Sequence, residues 1–258
     1  MVCTSSHTLC IFAGASKLDK RTIVRQSRSS MRQVLDILFP PHCAGCGSSG
    51  EILCPSCTAQ IQPLPSPFCQ RCSTPLAPQG ICPSCQYHPL NLSGLRIVSV
   101  YQEPLRSCIH ALKYDGNTRL AEPLGSLLAH AYIGYGIQAD MLTSVPLHSE
   151  RQQQRGYNHA SLLAEVCAAR VGVPLYDNLL IRQRATLAQV DLKPNERHQN
   201  VAGAFLCTPT FATGVLYGRR IVIIDDVYTT GATLEACAAP LFAAGAGAVW
   251  GLVLARPL

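Results

Sequence analysis

The sequence is poor in charged and aromatic residues and has no long hydrophobic run. Charged residues make up 14% of the 258 residues and aromatic residues 6%, whereas apolar residues reach 48%, which argues against a disordered chain. No segment approaches the roughly 18 uninterrupted apolar residues of a membrane helix, so we expect no membrane span. The apolar patch at residues 9–13 is shorter than the hydrophobic region of a secretory signal. These features predict a cytoplasmic protein.

The net charge of +6 does not by itself indicate a nucleic-acid-binding protein. Five of the 21 basic residues and one of the 15 acidic residues lie in residues 1–30, so the rest of the chain is nearly balanced. Cysteine thiolates that hold zinc would add further negative charge. Bulk charge therefore gives no argument for DNA binding, although a local basic patch would be compatible with it.

Composition divides the chain into three parts. Residues 1–30 have no sustained periodicity and precede Met31, one of three methionines. We expect translation to start at Met31, and the alternative is a genuine disordered tail. Residues 31–90 form the second part: a short amphipathic start at 31–39, then residues 40–90, which are rich in cysteine, proline, serine and glycine and contain few residues able to form a core. Residues 91–258 alternate between helical and strand patterns and predict a separate domain.

The cysteines carry the strongest local signal, because eight of the 14 form four Cys-x-x-Cys pairs. Two such pairs complete a tetrahedral zinc site with no position open for water, so the expected role is structural. Four pairs predict two zinc ions in a double zinc-ribbon module that needs metal to fold. Sequential pairing is the simplest arrangement, and disulfides or an iron–sulfur cluster are the alternatives. The predicted ligands are Cys43, Cys46, Cys54, Cys57, Cys69, Cys72, Cys82 and Cys85.

The apolar pattern beyond residue 91 predicts an α/β domain. Because strands alternate with helices, we expect a doubly wound, mostly parallel sheet, with ligands at the carboxyl ends of its strands. A polar segment at residues 183–200 interrupts this pattern. Strands are predicted at residues 96–101, 141–145, 179–182, 220–224 and 248–254, and helices at residues 104–113, 120–131, 158–170 and 231–244.

A second motif follows the predicted strand at residues 220–224. Asp225 and Asp226 stand at its end, and a turn with two threonines and a glycine leads into a helix. Backbone N–H groups at that helix start, with the threonine hydroxyls, can hold a phosphate dianion. The carboxylates can hold sugar hydroxyls beside the phosphate, directly or through a metal. The alternative is a solvated strand end followed by a threonine N-cap.

The run IVIIDDVYTTGAT at residues 221–233 resembles the phosphoribosyl pyrophosphate (PRPP) motif of type I phosphoribosyltransferases. More narrowly, the chain resembles the ComF family of competence protein F-like proteins, which join an N-terminal zinc ribbon to such a domain. The resemblance covers residues 31–258, and the acidic pair with the T-T-G-x-T loop is its most specific part. Supporting sequences are LFPPHC at 38–43, LKYDG at 112–116, VPLH at 145–148 and RGYNH at 155–159, followed by Gln189, Arg197, Asn200 and Ala204-Phe205.

The resemblance implies a role for each motif. Asp225 and Asp226 would hold the ribose, with Mg²⁺ accompanying PRPP. The 5′-phosphate would be held by Thr229, Thr230, Gly231, Ala232 and Thr233. The pyrophosphate would be faced by Pro146, Leu147 and His148. Lys193 and Arg197, from the polar segment, would close over it as catalytic cations.

The implied activity is displacement of Mg-pyrophosphate from ribose by an acceptor that the sequence does not identify. The alternative is a non-catalytic adaptor, with the PRPP fold as a scaffold, that contacts single-stranded DNA or DNA-uptake proteins. This alternative rests on the association of ComF relatives with natural competence. We interpret His148 and His159 as surface or packing residues rather than general bases. Arg151 and Arg155 either assist phosphate binding or are solvated loop charges, and a homodimer is left open.

Overall fold

The computed structural model describes residues 39–75, 80–185, 194–211 and 214–258. The elements below belong to one compact unit, His42–Leu258. The expected start at Met31 and the predicted cation Lys193 lie outside the described residues. Within the described ranges, every helix is too short or too polar to span a bilayer.

Four of the six described strands form a parallel central sheet. The strands are β1 (Gly94–Val100), β2 (Met141–Ser144), β3 (Leu180–Arg182), β4 (Phe205–Cys207), β5 (Arg220–Val227) and β6 (Ala248–Arg256). The central sheet has the order β1-β6-β5-β2, with every pair parallel. β5 therefore has a strand on each side, and Ile221 to Ile224 are fully buried. Burial on both faces explains why this strand is a continuous apolar run instead of an alternating one.

Helices cover both faces of this sheet. The helices are α1 (Pro55–Gln60), α2 (Pro83–Tyr87), α3 (Leu105–Tyr114), α4 (Ala121–Gly134), α5 (Ser149–Arg155), α6 (His159–Val171), α7 (Pro194–Val201) and α8 (Ala232–Ala243). Buried residues of α3, α4 and α6 share a core with Val222 and Ile224 of β5. Buried residues of α8 share the opposite core with Ile221 and Ile223. The predicted doubly wound parallel sheet is confirmed.

Three local expectations differ from the structure. The apolar run at residues 179–182 does form a strand, but β3 pairs antiparallel with β4 outside the central sheet. The polar segment 183–200 contains the start of α7, and a further helix, α5, follows His148. β5 continues to Val227, so both aspartates lie inside the strand and not after it.

The cysteine-rich segment packs against the open edge of β1. Leu64 N–H donates to the carbonyl of Val98 at 3.2 Å, and Leu95 N–H donates to the carbonyl of Arg71 at 2.8 Å. The buried Ser73 hydroxyl donates to the carbonyl of Leu95 at 2.7 Å. These bonds use backbone groups of β1 that an exposed edge strand would offer to other chains. The cysteine-rich segment therefore covers this edge of the sheet.

Candidate functional site

Two clusters of four cysteines form in sequential pairs. Cys43, Cys46, Cys54 and Cys57 make the first cluster, and Cys69, Cys72, Cys82 and Cys85 make the second; within each, the sulfurs lie within 4.8 Å of one another. The Sγ atoms of Cys46 and Cys54 are 3.7 Å apart, and those of Cys72 and Cys82 are 3.6 Å apart. Sulfurs bound at about 2.3 Å to a tetrahedral zinc lie about 3.8 Å from one another. Both clusters therefore fit zinc.

The two clusters repeat the same hydrogen bonds. Cys54 N–H donates to Cys43 Sγ and Cys82 N–H donates to Cys69 Sγ, both at 3.3 Å. Burial raises the pKa of Cys43 and of Cys69, but these and neighbouring backbone N–H groups outweigh it and lower each pKa to about 6. Thiolates are the form that binds zinc, so the backbone favours the metal-binding form of one cysteine in each cluster.

The repeat differs in exposure. Cys46 of the first cluster is exposed and Cys54 is half-buried, whereas all four cysteines of the second cluster are buried. The short helices α1 and α2 follow Cys54 and Cys82, and each begins with proline, which suits the first helical position because no N–H is needed there. Sequence analysis did not predict these helices, because they are only five or six residues long.

Asp226, at the carboxyl end of β5, is held inside the protein. It is 3% exposed, and its Oδ2 lies 2.5 Å from Lys113 Nζ and 3.4 Å from His159 Nε2. Its Oδ1 accepts a hydrogen bond from Val227 N–H at 2.7 Å. Burial alone would raise the pKa of Asp226, but the Lys113 ammonium, His159 and the Val227 N–H together outweigh burial and hold the pKa below its ordinary value. Asp226 and Lys113 are therefore an ionised buried pair.

Asp225 has a different environment from its neighbour. Side chains alternate along a strand, and Asp225 is half-buried beside the loop that follows β5. Burial first, and then the charge of Asp226, raise the pKa of Asp225 to about 7. A carboxylate with a raised pKa in a cleft is typical of a functional site. The sequence gives both aspartates the same role, but the structure distinguishes them: Asp225 lines a cavity and Asp226 is internal.

The loop after β5 encloses a small cavity with Asp225. The lining residues are Asp225, Val227, Tyr228, Thr229, Gly231, Ala232, Thr233 and Leu234. Gly231 has a φ of +88° and precedes α8, and a Cβ there would lie 2.9 Å from Cε2 of Tyr228. Glycine is therefore required by both backbone conformation and space. The first residues of α8 line this cavity, and a helix start beside an acid is a place where an anion can bind.

His159 and Lys113 are site residues to which sequence analysis gave no role of this kind. Arg155 Nη1 lies 2.8 Å from His159 Nδ1. Because a guanidinium only donates, Nδ1 accepts, and the ring proton is on Nε2, facing Asp226. Burial lowers the pKa of His159 to about 4, so the ring is neutral at pH 7. His159 is buried, in keeping with a packing residue, but its place beside Asp226 was not predicted, although the RGYNH and LKYDG sequences contain both His159 and Lys113.

The other predicted residues lie apart from this cavity. Pro146 and Leu147 line a second cleft, together with Asn158, Asp177 and Arg182, that shares no lining residue with the first. His148 is half-buried, precedes α5 and lies 3.7 Å from Glu150. Arg197 is in α7 and is half-buried. The structure thus brings together Asp225 and the threonine loop, and places the expected pyrophosphate-binding residues separately.

Comparisons with known proteins give both a domain and a family. A family model described as "Double zinc ribbon domain" matches residues 34–86. DNA utilization protein YhgH of Salmonella typhimurium is 33% identical over 213 residues, which are 80% of this chain and 91% of that protein. Competence protein F of Haemophilus influenzae is 29% identical over 79% of this chain and 90% of that protein.

Among solved structures, glutamine PRPP amidotransferase from B. subtilis, complexed with ADP and GMP, is similar to part of the chain. The similarity covers 57% of this chain and 30% of that one, with 21% identity and a TM-score of 0.38. TT1426 from Thermus thermophilus is 22% identical, with a TM-score of 0.32, over 52% of this chain and 72% of that one.

Proposed function

This chain belongs to the family of the DNA utilization protein YhgH and competence protein F, and we propose that its sheet domain binds PRPP with Mg²⁺ and transfers or senses the phosphoribosyl group. The observation that supports this most is one cavity that joins the Asp225 carboxylate to the threonine loop and the start of α8. A sugar phosphate has hydroxyl groups that can donate to this carboxylate and a dianion that the loop can bind. In view of the relatives' names, a role in DNA uptake is part of the proposal.

Different groups of the chain bind the phosphate and the ribose of PRPP. Backbone N–H groups and hydroxyls at residues 229–233 bind the 5′-phosphate, since helix starts attract anions. Asp225 accepts hydrogen bonds from the ribose hydroxyls. Asp226 does not reach the ligand in this scheme, because Lys113 already occupies its Oδ2 at 2.5 Å. Asp226 instead anchors the end of β5 to α3 and α6, which holds Asp225 and the loop in place.

A cluster of His159, Asp225 and Asp226 indicates where Mg²⁺ could bind. Donor atoms of His159, Asp225 and Asp226 lie within 4.8 Å of one another. Mg²⁺ prefers oxygen ligands and retains several waters, and Lys113 already compensates the charge of Asp226. Asp225 is therefore the residue that would hold the Mg²⁺ that arrives with PRPP. When bound, this ion supplies charge neutralisation for the departing pyrophosphate.

Transfer requires an acceptor and cations over the leaving group. The cleft of Pro146 and Leu147 opens at the carboxyl end of β2, next to β5 in the sheet, and suits the pyrophosphate side of the ligand. His148 and Arg197 keep the roles that the resemblance implies, as does Lys193, which lies outside the described residues. If the domain does not catalyse transfer, it would bind PRPP as a signal. Release of pyrophosphate in the presence of candidate amines or bases distinguishes transfer from sensing.

Calorimetric titration of PRPP with Mg²⁺ into the zinc-loaded full chain tests the proposal. Wild type should bind saturably, and Asp225→Asn should weaken binding at least about tenfold because a charged hydrogen bond of about 1.5–3 kcal/mol is lost. Asp140→Asn is the matched control: Asp140 Oδ2 accepts from Arg220 N–H at 2.8 Å, at the opposite end of β5. No binding by folded wild type, or equal affinity in both variants, would contradict the proposal.

A second candidate function, contact of the ribbons with single-stranded DNA, has one specific observation in its favour. Tyr87, at the end of α2, is 78% exposed and can stack on a base. Phe68 is not available in the same way, since its ring packs edge-on against Tyr135 at 5.7 Å. Tyr87→Ala should weaken salt-dependent binding of an oligothymidine severalfold, whereas Tyr217→Ala, a control that is 83% exposed, should not. Equal binding by wild type and both variants would exclude stacking on Tyr87.

A further inference from the structure

Arg256 contacts the second cysteine cluster from the end of β6. Its Nη1 donates to Thr74 Oγ1 at 2.7 Å and to the carbonyl of Cys72 at 3.4 Å. The Thr74 hydroxyl in turn lies 3.0 Å from Cys72 Sγ. A strand residue of the sheet domain is therefore bonded both to a metal-ligating residue and to the hydroxyl that contacts its sulfur.

The same guanidinium faces the loop of the candidate site. The Cζ of Arg256 lies 5.4 Å from the ring centroid of Tyr228, a cation–π distance. Tyr228 is 7% exposed, and its N–H donates to the carbonyl of Ala255 at 2.8 Å. Both the backbone and the ring of Tyr228 are thus fixed by the end of β6.

Tyr228 supports the turn that would hold phosphate. A Cβ at Gly231 would lie 2.9 Å from Cε2, 3.0 Å from Oη and 3.2 Å from Cζ of Tyr228, so the ring fills the space directly beside this glycine. Tyr228 also lines the cavity with Asp225. An unbroken series of contacts therefore runs from the second cluster through Arg256 and Tyr228 to the loop.

We propose that the second zinc ribbon sets the position of the phosphate loop, with Arg256 and Tyr228 as its positioning residues. The inference rests on the proposed PRPP binding and adds to it a dependence on a structural metal site. Arg256 is one of several links between the ribbon and the sheet. Arg96 also joins the ribbon to the sheet, since its Nη1 donates to the carbonyl of Gln70 at 2.9 Å, and its guanidinium stacks on Trp250 at 5.0 Å.

The test compares PRPP affinity in full-chain, zinc-loaded variants. Arg256→Met and Tyr228→Leu should each weaken binding about five- to tenfold, as expected for one cation–π contact and one hydrogen bond. Because both residues act through one series of contacts, the double variant should be little weaker than either single variant. Arg96→Met should leave the affinity within about twofold of wild type, since it perturbs docking without contacting Tyr228.

Three outcomes would overturn the inference: unchanged affinity in Arg256→Met, fully additive losses in the double variant, or an equal loss in Arg96→Met. Wild type that fails to bind PRPP would instead refute the proposed function, so the two failures are distinguishable. Zinc is quantified in every variant, and each must retain two ions per chain. If Arg256→Met does not fold, Arg256→Lys replaces it in the comparison. Lysine keeps a cation over the Tyr228 ring and a donor for Thr74, so this variant should retain most of the affinity for PRPP.

Discussion

Replacing Asp225 by asparagine should stabilise the protein while it weakens ligand binding. The raised pKa of Asp225, about 7 against an ordinary 3.8, reflects burial first and the charge of Asp226 second. A displacement of about three pKa units corresponds to about 4 kcal/mol at 1.36 kcal/mol per unit. Asp225 is only half-buried, and water screens part of this energy. We therefore expect a gain of about 2 kcal/mol in the free energy of unfolding at pH 8.

The gain depends on pH in a defined direction. Between pH 3.8 and 7 the folded state keeps a proton on Asp225 that the unfolded state has lost, so the stability of wild type falls as the pH rises through this window. The advantage of Asp225→Asn should be absent below pH 3.8, about half developed at pH 5.5, and complete above pH 7. Its growth with pH identifies the ionised carboxylate as the source.

Urea unfolding followed by the fluorescence of Trp250, the single tryptophan, measures this at pH 5.5 and pH 8. Asp140→Asn is a control with the opposite expected effect on stability. The Arg220 N–H donates to the Asp140 carboxylate and lowers the pKa of Asp140. That variant should lose stability at pH 8. If Asp225→Asn is less stable than wild type at pH 8, or gains equally at both pH values, the argument that Asp225 is a strained, ligand-facing acid is refuted.

Three further predictions follow from the same contacts. Lys113→Met should lower the free energy of unfolding by about 3 kcal/mol, because Asp226 is left buried without its cation; urea unfolding measures the loss, and the double variant with Asp226→Asn should recover part of it. Gly231→Ala should weaken PRPP binding more than about tenfold in calorimetry, since it combines left-handed strain of about 1–2 kcal/mol with a contact on Tyr228; Gly172→Ala, with a φ of +70° and no nearby atoms, should share the strain without the binding loss. A thiol reagent with a colorimetric zinc indicator should release two zinc ions in two phases, the first from the cluster with the exposed Cys46 and the second from the fully buried cluster; a single phase for both ions would contradict this order.

Much of the architecture could be predicted from local patterns. A few neighbouring residues were enough to predict the cysteine clusters from the Cys-x-x-Cys pairs, the buried strand β5 from its apolar run and the turn before α8 from its glycine. The strand–helix alternation predicted the parallel sheet. The pairing of β3 was not predictable in this way. Its three residues pair with Phe205–Cys207, more than 20 positions later in the chain, and no local pattern records that partner.

The candidate site could be predicted from the sequence only where its residues are neighbours in the chain. Asp225 and the threonine loop are contiguous in sequence, so their chemistry could be inferred together. The pairing of Asp226 with Lys113 and His159 joins the end of β5 to the end of α3 and the start of α6, and depends on tertiary packing. One indication was present: Lys113 lies one helical turn after the buried Ile109, on the side of α3 that faces the sheet. A strand extended by three residues, to Val227, would also have predicted that the two aspartates point apart.

The most direct test of the account is a crystal structure of the zinc-loaded full chain with PRPP and Mg²⁺. We expect the 5′-phosphate within hydrogen-bonding distance, about 2.7–3.2 Å, of the backbone N–H groups at residues 230–233. The ribose hydroxyls should contact Asp225, and Lys113 should still be paired with Asp226. PRPP bound away from this loop, or a ribose held by Asp226 with Lys113 displaced, would contradict the assignment of the two aspartates.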